Sequence, residues 1–124
     1  MIYNGQEIGY NQRIDYFDRT PIDWSTADAS VLDEYKKLVA FRKDSKAIKT
    51  GSYTGYSSDA VSAFTMQKDG ETVLVLANLT NRTANYIAAS KLSAITWKDA
   101  FTNAPVALEP LITLQPYQYL VLKN

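Results

Sequence analysis

Four carboxylates, one of two guanidiniums and an indole stand out in the first two dozen residues of this chain: Glu7, Asp15, Asp18, Arg19, Asp23 and Trp24. Two carboxylates can act as an acid and a nucleophile or base if they are held at a fixed separation with divergent pKa values. Several together can cage a hard cation. Neither demand is met by spacing alone, and the intervals here match no calcium loop, so loop hydrogen bonding and solvation account for the acids as they stand. Arg19 and Trp24 carry more. A guanidinium orients carboxylates or hydroxyls through its rigid fork, and an indole stacks on an apolar face such as that of a sugar ring. The competing reading pairs Arg19 with a nearby Asp and packs Trp24 under the loop.

Nine Tyr supply a second set of candidates. Tyr53 with Tyr56, or Tyr117 with Tyr119, could form a surface platform. Residues i and i+2 of a strand share a face, which would align Tyr117 with Tyr119. Burial in a core, or against another domain, uses the same pattern. Asn78-Leu-Thr80 and Asn81-Arg-Thr83 fit the N-glycosylation acceptor pattern, and a tight turn uses the same residues.

What the chain lacks narrows the chemistry. It has no His and no Cys among 124 residues. That removes disulfides, zinc–thiolate sites, and any Ser-His-Asp or Cys-His arrangement within the chain. Thirteen basic residues balance thirteen acidic ones, so no field favours nucleic acid or an anionic membrane. The longest apolar run, Val73-Leu-Val-Leu-Ala77, is far too short to span a bilayer.

These residues must be positioned by a strand, a long loop, a helix and then many short strands. Ile2 and Tyr3 are strand-like, and the loop through Gly5, Gly9 and Pro21 reaches residue 29. Ser30 with Asp33 resembles a capping box. Val31, Leu32, Tyr35, Leu38 and Val39 follow at helical spacing, which predicts a helix over 30–44 with one buried face. From Gly51 the period becomes two. Val61, Ala63 and Thr65 alternate with Ser62, Phe64 and Met66, and Lys68-Asp-Gly-Glu71 supplies a hairpin turn before a strand over 72–79. Further strands are expected over 84–88, 95–98, 106–108, 111–114 and 117–122. Short strands with regular turn signals argue an antiparallel β-sandwich. A domain rarely opens on a strand needing neighbours on both sides. The first 48 residues therefore read as one strand–loop–helix unit of a larger α/β body, with a sandwich over 49–124.

Six stretches in this order resemble the C-terminal end of the α-amylase family of glycoside hydrolases. Ile2-Tyr-Asn-Gly-Gln-Glu-Ile-Gly9 is similar to that family's eighth barrel strand and the loop after it. Arg19-Thr-Pro-Ile-Asp-Trp24 resembles the Arg-Thr-Pro-Met-Gln-Trp motif of its oligoglucosidase branch, departing at Ile22 and Asp23. Leu38-Val-Ala-Phe-Arg-Lys43 resembles the end of the last barrel helix. Gly51-Ser-Tyr53 with the strands over 61–64 and 73–79, then Trp97-Lys-Asp-Ala-Phe101, and then Leu114-Gln-Pro-Tyr-Gln-Tyr-Leu-Val-Leu122 follow the C-terminal sandwich.

The resemblance implies a (β/α)8 barrel whose active site lies at the C-terminal face of its strands. It implies cleavage of α-glucosidic bonds with retention, by two carboxyl groups about 5–5.5 Å apart. It places those groups, and a third Asp, after the fourth, fifth and seventh strands, before residue 1. The expectation is a chain with no catalytic residue, no metal and no cofactor, structural in role, its parent acting on α-glucans such as starch and malto-oligosaccharides. In the intact parent, Arg19 and Trp24 would border sugar subsites. The alternative is an accessory α-glucan-binding module using Tyr117 and Tyr119. The resemblance also suggests an extracytoplasmic location. Apolar surface over 1–48 suggests self-association.

Overall fold

The computed structural model describes residues 2–15, 17 and 19–124. Met1 of the expected opening strand and the carboxylate Asp18 lie outside the described residues. The chain forms two compact units, Met1–Ala40 and Phe41–Asn124.

In the first unit the expected opening strand is not formed. Ile2 and Tyr3 are exposed, and among the described residues no strand pairs with them. Tyr3 turns instead into a 3₁₀ turn, Gln6–Ile8. Its N–H donates to Gln6 Oε1 at 2.7 Å, and its carbonyl accepts from the Gln6 N–H at 3.1 Å. A strand stabilised by neighbours does not form without them. Helix α1, Ala29–Asp44, ends where its periodicity ends but starts one residue early. The cap is Asp28, whose Oδ1 accepts from the Ser30 N–H at 2.8 Å and from Ser30 Oγ at 2.6 Å. Ser30 thus lies inside the first turn, and Asp33 pairs with Lys36 at 3.2 Å in place of closing a capping box. The helix has no buried residue. Val31, Leu32 and Tyr35 are half-buried and Leu38 and Val39 exposed, against the expectation of one buried face.

The second unit is mainly antiparallel β. Helix α2 (Lys46–Thr50) leads into β1 (Ser52–Gly55), β2 (Val61–Lys68), β3 (Glu71–Asn78) and β4 (Ala84–Ile87). One turn of helix, α3 (Ser90–Ser93), precedes β5 (Trp97–Asp99), β6 (Pro105–Val106), β7 (Leu111–Leu114) and β8 (Tyr119–Lys123). Six strands pair in the order β1-β2-β3-β8-β5-β6, and β4 pairs with β7 in a second sheet. The hairpin at Asp69-Gly70 has positive φ at both central residues, 50° and 86°, as a two-residue turn matching the strand twist requires.

Alternation divides the large sheet into two apolar faces. Val61, Ala63, Leu74, Leu76, Trp97 and Leu122 face the small sheet and pack with Ala84, Tyr86 and Leu114. This is the sandwich core. On the opposite face Val73 and Val121 pack with Ala47 of α2 and Ala100. Phe41 meets Phe101 edge-on there, ring centroids 5.6 Å apart. Gly51 lets α2 turn tightly into β1, since a Cβ at that position would lie 2.4 Å from the Ala47 carbonyl oxygen and 2.8 Å from that of Gln67.

One carboxylate ties α2 to the sheet. Glu71 Oε1 accepts from Ser45 Oγ at 2.6 Å, and its Oε2 accepts the N–H groups of Lys46 and Ala47, each at 3.0 Å. Ser45 Oγ in turn accepts the Ile48 N–H at 3.0 Å. Burial would raise the Glu71 pKa. The hydrogen bonds from Ser45, Ala47 and Lys46, with the charge of Lys123, outweigh burial and hold it below the ordinary 4.5. A carboxylate with a depressed folded pKa contributes stability that is whole above its unfolded value and is lost as pH falls through the folded one. Glu71→Gln is expected to lower stability by about 1 kcal/mol at neutral pH, an amount set by partly solvated hydrogen bonds to a charged acceptor. The gap from wild type should narrow as pH falls below the ordinary 4.5 and on through the lower folded value. Urea denaturation at several pH values checks this, and a gap that stays constant into acid would refute the charge-based clamp.

Candidate functional site

The loop before α1 is folded onto itself. The Tyr10 N–H reaches the Gly5 carbonyl at 3.0 Å, and the Asp28 N–H reaches that of buried Ile8 at 2.9 Å. Gly5 sits at φ 88° with Ile22 packed close above its Cα. These contacts hold the ends of the loop and leave its middle outward. Ile2, Tyr3, Asn4 and Glu7 line an open recess of about 460 Å³, which contains a single carboxylate.

Among the described acids of this loop, Asp15, Asp23 and Asp28 are turn and cap groups. Asp15 Oδ1 accepts the Phe17 N–H at 2.9 Å. Asp23 Oδ1 accepts the Ser25 N–H at 2.9 Å and Ser25 Oγ at 2.6 Å, which caps the 3₁₀ turn Trp24–Thr26. The Ser25 hydroxyl, then the Ser25 N–H, hold the Asp23 carboxyl below its usual range. Ser30 acts on Asp28 in the same way. Both shifts favour the ionised form, so neither group is a proton donor near neutrality. Among the described residues no three His, Cys, Asp or Glu side chains converge on a metal-sized site.

The turn capped by Asp23 presents Trp24 to solvent, its side chain 53% exposed. Arg19 is exposed as well and forms no ion pair among the described residues. Both belong to one outward segment, joined by Thr20, Pro21 and half-buried Ile22.

The tyrosines part company. Tyr119 opens β8 opposite Ala77 and packs against the Val73–Val121 cluster. Tyr117 precedes the strand. It is the third residue of the turn closed by the Gln118 N–H on the Gln115 carbonyl at 3.0 Å, with φ 58° and 69% exposure. Strand alternation does not extend to a residue in a turn, so the two rings do not share a face by that rule. Tyr53 stacks on Phe64 across the β1–β2 pair, centroids 5.5 Å apart. The Tyr56 ring lies under Lys91 Nζ, 4.8 Å from its centroid, and the Tyr56 carbonyl accepts the hydroxyl of buried Tyr86 at 3.0 Å.

Sequence reading missed the centre of the sandwich's loop end, which is Asn78. Its side chain is buried at the end of β3. Nδ2 donates to the carbonyls of Arg82 at 2.7 Å, Gln115 at 2.9 Å and Leu114 at 3.3 Å. Oδ1 accepts the Thr80 N–H at 3.0 Å and Thr80 Oγ1 at 2.8 Å. The turn reading of Asn78-Leu-Thr80 thus describes the contacts, and an amide so enclosed offers no face for a glycan. The available signal was an amide ending an otherwise apolar strand, where only a fully bonded polar group is tolerated.

Comparison with known proteins places these features in context. No family model matches the chain. The curated α-amylase 2 of Dictyoglomus thermophilum is 34% identical over 93 residues, which cover 66% of this chain and 16% of that protein. Among solved structures, the trehalulose synthase MutB of Pseudomonas mesoacidophila MX-45 aligns with a TM-score of 0.63 at 26% identity, over 75% of this chain and 17% of that one. The maltogenic amylase from S. marinus shares the fold across 98% of this chain, with a TM-score of 0.71 at 21% identity and 16% of its own length covered. The chain spans 16–17% of each of these proteins. Variants of the synthase have been solved with its substrate sucrose and with isomaltulose.

Proposed function

We propose, from the premise that this chain is a C-terminal region of the α-amylase family, that it is the structural, non-catalytic end of a retaining α-glucan hydrolase. Residues 1–48 supply the last strand, loop and helix of the barrel, and residues 49–124 form the sandwich that supports it. The acid/base and nucleophile carboxyls belong to earlier strands of the same protein. Its substrates are α-glucans, starch or malto-oligosaccharides.

The observation that carries this reading is α1. A sixteen-residue helix with Val31, Leu32, Tyr35, Leu38 and Val39 on it buries none of them fully. A helix with that sequence is made to lie against a sheet. The preceding Ile2-Tyr3 segment has strand composition and no strand neighbour among the described residues. Both would be covered in an intact barrel. There the segment with Arg19 and Trp24 borders the sugar subsites, the guanidinium on hydroxyls and the indole on a sugar face. Left uncovered, the same surface favours self-association of the chain on its own. An extracytoplasmic site of action fits a polymeric substrate. No helix among the described residues is long and apolar enough to cross a membrane.

The chain alone is expected to release no reducing ends from maltodextrin, whereas the protein extended upstream through a full barrel does so with retained anomeric configuration. Proton magnetic resonance of the first-formed product reads both. Turnover by the purified 124-residue chain, persisting after removal of contaminating amylase, would overturn the proposal.

A further inference from the structure

We infer that the loop end of the sandwich is a binding site for malto-oligosaccharide, formed by the cleft beside residues 80–85 and the ring of Tyr117. The choice of an α-glucan rests on the function proposed above; the site itself rests on geometry.

The cleft has a volume of about 430 Å³. Ala60 and Ala84 contribute its apolar lining, and Asn81, Arg82, Thr83 and Asn85 its polar groups. Amides and hydroxyls both donate and accept, which matches vicinal sugar hydroxyls, and the guanidinium adds a fixed fork of donors. One cation among the lining residues does not make an anion site, so the chemistry suits a neutral polyhydroxyl ligand.

The walls are held in place. Asn78 bonds the 79–83 loop, at the Arg82 carbonyl, to the end of β7 at Leu114 and Gln115. The Leu79 N–H reaches the Ala60 carbonyl at 3.3 Å, which joins the loop before β2. A ligand meeting this end finds little left to order, which favours binding.

Tyr117 supplies the aromatic face. Its N–H donates to the Thr80 carbonyl at 3.2 Å, which sets the residue beside the loop that lines the cleft. Its φ of 58° is one that any residue with a Cβ disfavours, and the third position of such a turn normally falls to Gly or Asn. A residue left 69% exposed recovers little of that strain through packing. Strain retained without a packing return is a mark of function. An exposed Tyr whose backbone is bonded to that loop can stack on a glucose ring whose hydroxyls the loop's amides and guanidinium bind.

The test titrates the 124-residue chain with maltoheptaose, and separately with cellohexaose, by nitrogen–proton correlation spectra. The expected result is saturable movement of the Asn81, Arg82, Asn85 and Tyr117 signals with maltoheptaose at millimolar concentration. Tyr117→Gly is expected to weaken that binding about tenfold or more while raising the melting temperature, because glycine relieves the strain. Arg82→Ala should weaken it severalfold. No movement with either sugar, or equal binding by Tyr117→Gly, would overturn the site. Movement of the same signals with cellohexaose alone would overturn the ligand assignment and count against the α-glucan reading of the whole protein. Failure of the site while the barrel-extended protein still hydrolyses maltodextrin would overturn this inference and leave that reading standing.

Discussion

Trp97→Ala is expected to remove about 3–5 kcal/mol of stability, a large part of what a domain of this size possesses. The indole has no solvent exposure and lies in the core between the sheets. Its Nε1–H donates to the Leu92 carbonyl at 2.8 Å, which fixes the end of α3 against β5. Alanine opens a cavity the size of a bicyclic ring and removes the indole donor, leaving that carbonyl only its backbone partner, the Ile95 N–H at 3.2 Å. Trp97→Phe keeps most of the volume and loses the donor, so it should cost about 1–2 kcal/mol beyond the small change in size. Urea denaturation followed by circular dichroism at 25 °C checks both. The second indole, Trp24, is exposed, so the blue-shifted, quencher-resistant part of the fluorescence should vanish in both variants. Retention of that component would show that Trp97 is not the buried indole.

Asn78→Ala is expected to cost about 3 kcal/mol. The change deletes donors to three carbonyls and the acceptor used by Thr80 at the point where β3 ends. Those carbonyls belong to the 79–83 loop and to β7 and the turn after it, so the large sheet, the small sheet and two loops loosen together. Asn78→Asp should cost more at neutral pH. It keeps the acceptor for Thr80 but sets a negative charge against three carbonyl oxygens, and its folded pKa would be raised by both burial and repulsion. Part of its deficit should therefore be recovered on acidification, as the carboxyl takes up a proton and regains one donor. Asn81→Ala, at the exposed start of the other glycosylation-like triplet, should stay within about 0.5 kcal/mol of wild type. Equal effects at 78 and 81 would refute the clamp.

The elements that could be read from sequence were those specified locally. Alternation at Val61, Ala63 and Thr65 and the Asp69-Gly70 pair gave the β2–β3 hairpin almost to the residue. The end of α1 at Asp44 followed from the loss of helical periodicity. Its start was misplaced because Asp28 and Ser30 are both competent caps, and only the geometry chooses between them. In the sequence β1 shows only as a change of period, because all four of its residues are exposed on a sheet edge and no apolar alternation is required there. α3 was missed because a single turn carries too few residues for a period. The opening strand was read from the composition of Ile2 and Tyr3, but strands exist only by pairing, and composition cannot supply a partner. The insertion of β8 between β3 and β5 is a non-local choice that no window of sequence contains.

The candidate sites divide in the same way. Exposure of Trp24 follows from the Asp23 cap beneath it, a local device. Strand alternation does not align Tyr117 with Tyr119, because a turn occupies Gln115–Gln118 and the strand starts only at Tyr119; Gln115-Pro116 is the sequence signal for it. The cleft at 80–85 depends on loops distant in sequence, brought together by one amide. Its residues are individually ordinary.

The sheet order also has a consequence in time. β3 ends at Asn78, and the strand that covers its open side, β8, begins at Tyr119. A ribosome adding about 5–20 residues per second takes several seconds to make the intervening stretch. Throughout that interval β3 presents a bare hydrogen-bonding edge bearing Val73, Leu74, Val75 and Leu76. Until β8 arrives, that unpaired apolar edge is a template on which another chain could pair. A stop signal or a stalled ribosome anywhere in those forty or so codons leaves a product with its central edge unpaired, ready for disposal.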